Sequence, residues 1–289
     1  MRLTERDHEI LLHIHRHRFL RSDHVTSLLP GSERQILRRL QRLYHHGYLE
    51  RPRCQIDYYH SGSRRMVYGI GMKAAKLLNQ ETSIRRSPPD WQYRKRIGRL
   101  FLEHALLISD FMVRLEIACR KCQGIRLLTE DDLNLPDSVQ VGRNPFRWRV
   151  SIPGGPDCTV IPDRVFGLEQ TDGTRTWFVL EADRGTMPVT RQSLERSSFR
   201  RKMLAYQTTW AQQLHHQFGW QRFRVLTITT GAERIRAMIE ACRRLKHGQG
   251  VFLFADANGV RGQSEFFSLR WHTVRSGQFA GLLEPNLTI

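Results

Sequence analysis

A β-hairpin between residues 160 and 186 constrains the fold of this chain more than any other feature of its sequence. Two β-rich runs, Val160–Leu168 and Trp177–Thr186, flank a turn that contains the pair Asp172-Gly173. Asp-Gly between two such runs is a strong signal for a hairpin. A basic helix is predicted to follow over Ser193–Trp210. The middle of the chain therefore reads as strand, turn, strand and basic helix.

Three acidic residues of this hairpin are expected to meet at one end of the sheet. Glu181 and Asp183 are two residues apart, so an extended strand projects both side chains to the same face. If the two strands pair in register, Asp163 lies close to them. Three carboxylates in one place suit a hard divalent cation such as Mg²⁺ or Mn²⁺. The sequence thus predicts a metal site formed by Asp163, Glu181 and Asp183.

Pro162-Asp163 and Glu181 resemble the motif of the PD-(D/E)XK nuclease fold, in which a Pro-Asp on one strand and a Glu-x-Lys on the next hold magnesium beside a scissile phosphate. The chain departs from that motif where Asp183 replaces the lysine. The resemblance implies that Lys202 in the following helix, or Arg184, takes the role of that lysine. Asp163, Glu181 and Lys202 are then the implied catalytic residues.

Three short motifs together resemble the replication-relaxation family. They are Pro162-Asp163, the run Glu181-Ala182-Asp183-Arg184-Gly185-Thr186, and the pair Lys202 and Tyr206. That family is associated with plasmids and integrative elements, and it carries a winged helix ahead of a nuclease-like domain. The resemblance extends from about residue 3 to about residue 245, and it implies a replication or transfer context.

The first 81 residues are predicted to form a winged helix-turn-helix. Helical patterns cover Thr4–His17, a short segment around Val25, and a third segment that opens with a capping box at Ser32. A basic hairpin with its turn at Ser61–Arg65 follows. In such a domain the third helix enters the major groove and the wing touches backbone or minor groove. The expected DNA contacts are Arg34, Gln35, Arg38, Arg39, Arg42, Arg64 and Arg65. The alternative is an amphipathic helix whose basic face is merely solvated.

The charge composition favours a polyanionic partner. The chain has 46 Lys and Arg against 28 Asp and Glu, a net charge of +18. Most of the basic residues are arginines, whose forked guanidinium groups match phosphate and guanine. A GC-rich genome produces the same arginine bias. Double-stranded DNA is the expected partner.

The hydropathy of the chain gives no sign of a membrane-spanning helix. Its mean hydropathy is −0.49, and no run approaches the roughly 18 apolar residues of a membrane span. The first residues, Met1 to Asp7, carry charges where a signal peptide needs an apolar core. We therefore expect a cytoplasmic protein without a membrane partner.

The expected domain order is a winged helix-turn-helix over residues 1–81, a basic linker over 82–96 and a PD-(D/E)XK nuclease-like domain over 97–289. The linker contains Ser87-Pro88-Pro89 and Arg94-Lys95-Arg96. From Ile97 the order α-β-β-β-α-β-α-β predicts a mixed sheet covered by helices. The fold class is therefore α+β or α/β.

Other residues that could bind metal receive structural interpretations. The alternating residues His13, His15 and His17 are expected to fan around the first helix, so that they form no metal cluster. Cys119 and Cys122 form one CxxC without a second pair, whereas a zinc site needs four ligands. Glu103 is an additional metal-ligand candidate, although a place on the helix surface is favoured.

Two functions remain open from the residues and the resemblance. The first is a nuclease or nickase that uses Mg²⁺ or Mn²⁺ and is delivered to DNA by the winged helix. The second is a transcriptional regulator or accessory factor of replication or transfer, which retains the same fold without catalysis and binds a palindrome as a homodimer. Nothing in the sequence suggests another enzyme class, since it has no phosphate loop, Gly-x-Ser-x-Gly or dinucleotide fingerprint.

Overall fold

The computed structural model describes residues 1–56, 65–81, 97–129, 132, 146–275 and 277–284. The chain divides into two compact units, Met1–Ile117 and Ala118–Ile289. The predicted wing turn up to Arg64 and the predicted linker over 82–96 lie outside the described residues. Within those residues, no helix has the length and apolar character needed to cross a bilayer.

The first unit combines helices with a small antiparallel sheet. The elements in chain order are α1 (Glu5–His17), β1 (Phe19–Arg21), α2 (Ser22–Leu28), α3 (Glu33–His45), β2 (Leu49–Glu50), β3 (Val67–Ile70), α4 (Met72–Glu81) and α5 (Arg99–Lys121), which continues into the second unit. The strand order of the sheet is β1-β3-β2, with Phe19 opposite Gly69 and Leu49 opposite Ile70. A 3₁₀ turn covers Arg53–Gln55.

Helix α1 begins as its sequence predicts. Asp7 accepts a hydrogen bond of 2.8 Å from the Thr4 backbone N–H, which satisfies one of the donors left open at a helix start. Ile10, Leu11 and Ile14 are fully buried and form the apolar stripe of the helix. The capping box predicted for α3 is not formed, since Ser32 is the N-cap residue but its side chain accepts no capping hydrogen bond.

Helix α5 packs against α1, α2 and β1 through buried polar contacts within the first unit. The Ser109 hydroxyl lies 2.7 Å from the Phe19 carbonyl oxygen. Asp110 is 3% exposed and contacts both Arg21 and His24, with 2.8 Å between His24 Nε2 and Asp110 Oδ1. Burial alone would raise the pKa of Asp110, but the hydrogen bond with His24 and the charge of Arg21 hold it below its usual value.

The second unit contains a mixed seven-stranded sheet, which confirms the predicted mixed α+β class. The elements are β4 (Ile125–Leu128), β5 (Trp148–Ser151), β6 (Asp157–Val160), β7 (Arg164–Gln170), β8 (Arg175–Ala182), α6 (Phe199–Ala211), β9 (Phe223–Thr229), α7 (Ala232–Arg243), β10 (Phe252–Asp256), α8 (Ala257–Gly262), β11 (Trp271–His272) and β12 (Phe279–Ala280), with 3₁₀ turns at Leu214–Phe218, Gln249–Val251 and Phe266–Ser268. The strand order of the sheet is β12-β11-β10-β9-β8-β7-β4, and β8, β9 and β10 run parallel. Strands β5 and β6 pair separately.

The predicted hairpin is formed by β7 and β8, with Arg164 opposite Leu180 and Glu169 opposite Arg175. Its first strand starts later than predicted. Val160 is the last residue of β6 and pairs in the separate β5-β6 sheet. Pro162 lies in the segment between β6 and β7, because proline has no N–H to donate to a strand ladder.

Two further segments of the second unit differ from the sequence prediction. Helix α6 starts at Phe199 instead of Ser193, because Ser198 is its N-cap and accepts a hydrogen bond of 3.2 Å from the Arg201 N–H. The predicted order of elements ends on the strand that is β10, whereas a short helix, α8, follows it, and the Asp256 side chain accepts hydrogen bonds from the N–H groups of Asn258 and Gly259. In both cases a side-chain cap, rather than apolar periodicity, sets where the helix begins.

The core of the second unit packs large apolar side chains on the sheet. Phe178, Leu180 and Leu226 have no exposed surface. Trp177 and Trp220 stack with ring centroids 5.8 Å apart. Gly167 lies opposite Trp177, and a Cβ built there would come within 2.9 Å of the indole ring. The hairpin therefore needs glycine at this position to accommodate the tryptophan.

Candidate functional site

Glu181 lies at the end of β8 and is held by two side chains of α6. Its Oε2 is 2.6 Å from Lys202 Nζ, and its Oε1 accepts a hydrogen bond from the Tyr206 hydroxyl. Lys202 and Tyr206 are four residues apart, so they lie on the same face of the helix. Glu181 itself is only 3% exposed. A buried carboxylate, an ammonium group and a phenol thus form one cluster.

Asp163 reaches the same strand end from the segment before β7. Its Oδ2 accepts a hydrogen bond of 2.8 Å from the backbone N–H of Ala182, the neighbour of Glu181. This contact follows from the hairpin register, which places Arg164 opposite Leu180. Burial raises the pKa of Glu181, and the nearby charge of Asp163 raises it further. The structure therefore brings Asp163, Glu181 and Lys202 together.

The electrostatics of this cluster keep Lys202 charged and Tyr206 neutral. Burial alone would lower the pKa of Lys202, but the charges of Glu181 and Asp163 raise it above its usual value. Burial and the neighbouring Glu181 raise the pKa of Tyr206 well above its usual value. Burial also raises the pKa of Glu181, although Lys202 and Tyr206 act in the opposite direction. The lysine side chain remains 39% exposed, so the cluster reaches the surface at this cation.

Asp183 has different partners from those of Glu181. Its Oδ2 accepts a hydrogen bond of 2.6 Å from the Thr229 hydroxyl, and its Oδ1 is 2.8 Å from Arg234 Nη2. Arg234 Nε also donates to Oδ2. Asp183 and Arg234 form a bidentate ion pair in which the acid is 8% exposed. The residue that replaces the expected lysine therefore joins the strand end to α7.

The three predicted metal ligands do not form a single ligand set among the residues that the structure describes. The ligand atoms of Asp163, Glu181 and Asp183 do not all lie within 4.8 Å of one another. The cause is that Asp183 follows the last residue of β8 and turns to Arg234. Asp163 and Glu181 still fit Mg²⁺, since this ion is commonly held by one or two carboxylates and keeps several waters.

Helix α3 carries a row of exposed arginines at every fourth position, Arg34, Arg38 and Arg42. Gln35 is also exposed. Four-residue spacing places the three guanidinium groups on one face of the helix. Within the described part of the chain, no acidic group forms an ion pair with any of the three. This face combines high positive charge with exposure.

The other described basic candidates are engaged in ion pairs. Arg39 Nε is 2.7 Å from Oδ1 of the fully buried Asp7, and its Nη2 also contacts Asp7. Arg65 Nη1 is 2.7 Å from Asp23 Oδ2, and its side chain is 64% exposed. Arg39 thereby links α3 to the start of α1.

The structure corrects the interpretation of the histidines in α1. His13, His17 and Glu116 form a group whose potential ligand atoms all lie within 4.8 Å of one another. Alternation separates His15 from its neighbours, but His13 and His17 are one helical turn apart and share a face. The i,i+4 spacing of His13 and His17 is the sequence signal that identifies this group. The third member, Glu116, lies in α5, about 100 residues later in the chain.

The remaining candidates have local roles or belong to no group of this kind. Glu103 Oε1 accepts from Arg99 Nε at 2.8 Å in an exposed i,i+4 pair. Cys119 and Cys122 are free thiols, and neither belongs to a group of three potential metal ligands among the described residues. No sequence signal identifies Thr229 or Arg234 as functional, because only the fold shows that they face Asp183.

Comparison with protein-family models gives a match to the family described as Replication-relaxation over residues 11–220. The matched region contains Asp163, Glu181, Lys202 and Tyr206, and it ends before Arg234. Searches of curated proteins and of solved structures give no significant match.

Proposed function

The chain belongs to the replication-relaxation family, and from this premise we propose that it binds double-stranded DNA and nicks or cleaves it with Mg²⁺ or Mn²⁺. The family suggests a role in plasmid or mobile-element replication or transfer. The observation that carries the proposal is the cluster of Asp163, Glu181 and Lys202 at one end of the β7-β8 hairpin. Two acids and a cation there correspond to the PD-(D/E)XK arrangement, with the lysine supplied by the helix.

The first unit supports DNA binding by a winged helix. Its order of helix, strand, helix, helix and two further strands, with the sheet order β1-β3-β2, agrees with such a domain. Helix α3 would be the recognition helix, and Arg34, Arg38 and Arg42 are the proposed contacts to phosphates and bases. Arg39 is proposed to hold this helix in place through Asp7 rather than to contact DNA.

The second unit supports chemistry on a phosphodiester. A bound Mg²⁺ or Mn²⁺ would polarise a phosphoryl oxygen and make a coordinated water more acidic. Asp163 and Glu181 would hold this ion. Lys202, kept protonated by its two acidic neighbours, would stabilise the negative charge that builds up on the phosphate oxygens. Tyr206 would fix the orientation of Glu181 through its hydroxyl.

Hydrolysis requires the oxygen of a water molecule to form a bond to phosphorus while the bond to one sugar oxygen breaks. The leaving sugar oxygen takes up a proton that the attacking water loses. The phosphodiester thereby becomes a phosphomonoester and a free sugar hydroxyl. The three residues of the cluster serve this step by positioning and charge compensation, which are the main protein contributions to phosphoryl transfer.

The proposal is tested by incubating supercoiled plasmid with Mg²⁺ or Mn²⁺ and the purified chain. We expect open circles or linear DNA from the wild type and from Glu169→Gln, a change in an exposed ion pair of the same hairpin. Asp163→Ala and Glu181→Ala should leave the plasmid supercoiled while still shifting it in a gel. Cleavage by all variants at the wild-type rate would assign the activity to a contaminant and reject the proposed site.

A second function is favoured by the contacts of Glu181 itself. Both of its oxygens have protein partners, Lys202 and Tyr206, and the lysine expected two residues later is an acid. In this second function the fold serves as a scaffold without catalysis, and the protein is a DNA-binding regulator or accessory factor. A wild type that binds one palindromic site as a dimer and leaves DNA intact with either metal ion would select this function.

A further inference from the structure

We propose that the first unit binds one Zn²⁺ ion through His13, His17 and Glu116. This inference concerns the unit that precedes the acid cluster and does not depend on nuclease activity. The three residues come from two helices, α1 and α5, and their potential ligand atoms all lie within 4.8 Å of one another. Imidazole and carboxylate groups are common zinc ligands.

The spacing within this group matches the geometry of a zinc site. His17 Nε2 is 3.3 Å from Glu116 Oε2, and His13 Nδ1 is 3.8 Å from Glu116 Oε1. Two ligands of a tetrahedral zinc ion with bonds of about 2.05 Å are about 3.3 Å apart. Only small side-chain movements are therefore needed to place one ion between the three groups.

The surroundings of the group are already ordered. The side chains of His17, Glu116 and His13 are 2%, 9% and 12% exposed, so little rotamer freedom remains to be lost on binding. The Ser109 hydroxyl lies 3.3 Å from the His17 carbonyl oxygen and fixes the end of α1 against α5. These contacts fix the helices that carry the ligands before any metal is added.

Arg16 gives the carboxylate a second partner. Its Nη1 lies 3.6 Å from Glu116 Oε1, and its side chain is 37% exposed. An ion pair of this kind helps to orient a carboxylate that binds a metal. Three protein ligands leave the fourth position of a tetrahedral ion to water.

The chemistry of the group selects zinc over magnesium. Mg²⁺ prefers oxygen ligands, whereas two imidazole nitrogens and one carboxylate suit Zn²⁺. The proposed ion would connect α1 with α5 and stabilise the folded unit, because an ion that binds the folded state shifts the unfolding equilibrium.

The experiment uses the full chain, stripped with a chelator, reloaded with Zn²⁺ and freed of excess metal by gel filtration. Metal analysis should find one zinc per chain in the wild type and in His15→Gln, the matched histidine change on the same helix. His13→Gln and Glu116→Gln should lower the zinc affinity by more than about 100-fold, since losing even an outer partner of a ligand costs about 10–100-fold. Co²⁺ should give the strong visible absorption of a tetrahedral site in the wild type only.

Two controls keep the outcome decisive. Circular dichroism of the metal-free variants checks that they are folded, and His13→Gln is expected to fold normally because His13 is the most exposed of the three ligands. Zinc retained by folded His13→Gln and Glu116→Gln at the wild-type level would overturn the proposal. Zinc binding that His15→Gln reduces as much as His13→Gln, or a wild type without retained zinc, would overturn it as well.

Discussion

Glu181 and Asp183 are two residues apart at the same strand end, yet they lie in different surroundings. Glu181 contacts a lysine that is 39% exposed and a tyrosine hydroxyl. Asp183 contacts an arginine that is 18% exposed and a buried threonine. One acid thus belongs to a cluster that reaches the surface, and the other belongs to a nearly closed network. Under the proposed function, Glu181 belongs to the site of chemistry, and Asp183 belongs to a structural ion pair beside it.

The largest effect is expected from breaking the structural pair. Asp183→Ala leaves Arg234 without its bidentate partner, and loss of one member of a buried ion pair typically costs about 3 kcal/mol or more. Urea unfolding measures this loss in the free energy of unfolding. The control is Glu169→Ala in an exposed pair, for which we expect a clearly smaller loss because exposed ion pairs contribute little to stability. Equal losses in the free energy of unfolding for both variants would mean that Asp183 contributes no more to stability than an exposed acid.

A loss of activity is expected from Lys202→Met. Removing a group that stabilises charge in the transition state costs about 100-fold in rate, while the partly exposed position makes a large loss of stability unexpected. Plasmid nicking at saturating protein concentration measures the effect. Lys202→Arg keeps the positive charge and should recover part of the rate. A fully active Lys202→Met would remove this lysine from the chemistry.

A smaller effect is expected on DNA affinity when one arginine of α3 is replaced. Arg38→Gln should reduce the slope of log affinity against log salt by about 1, as expected for one lost phosphate contact. The same titration of Glu181→Gln should retain the wild-type slope. Arg2→Gln, which changes an exposed arginine outside α3, is the matched control. If Arg2→Gln and Arg38→Gln have the same effect, the arginine row on α3 is not a specific contact surface.

The smallest effect is expected from Tyr206→Phe. The lost hydroxyl removes one hydrogen bond to Glu181, which should cost about 1 kcal/mol of stability. The Tyr206 hydrogen bond lowers the pKa of Glu181, so its loss should raise this pKa further. Nicking that needs ionised Glu181 should therefore fail at a higher pH than in the wild type. A pH–rate profile whose acidic limb stays in place would show that Glu181 does not control the reaction.

Local sequence signals predicted the strands and the helix of this site better than the side-chain contacts between them. Asp172-Gly173 and the two β-rich runs that flank it were sufficient to predict the β7-β8 hairpin, because both signals act between near neighbours. The contact of Lys202 with Glu181 was implied only by the family resemblance.

The partner of Asp183 could not be predicted because it depends on tertiary packing. Arg234 is 51 residues further along the chain and is one of many arginines. Its selection follows from the parallel β8-β9 pair, which brings the start of α7 to the strand end. The group of His13 and His17 was missed for a different reason, since the alternation of three histidines hid a pair at helical spacing.

The most direct test measures nicking and unfolding on the same preparations of wild type, Glu181→Gln and Asp183→Ala. We predict that Glu181→Gln unfolds at nearly the wild-type urea concentration but does not nick plasmid with Mg²⁺ or Mn²⁺. Asp183→Ala should unfold at a lower urea concentration and retain nicking per folded molecule. A wild type that fails to nick, or a Glu181→Gln variant that nicks as well as the wild type, would contradict the account.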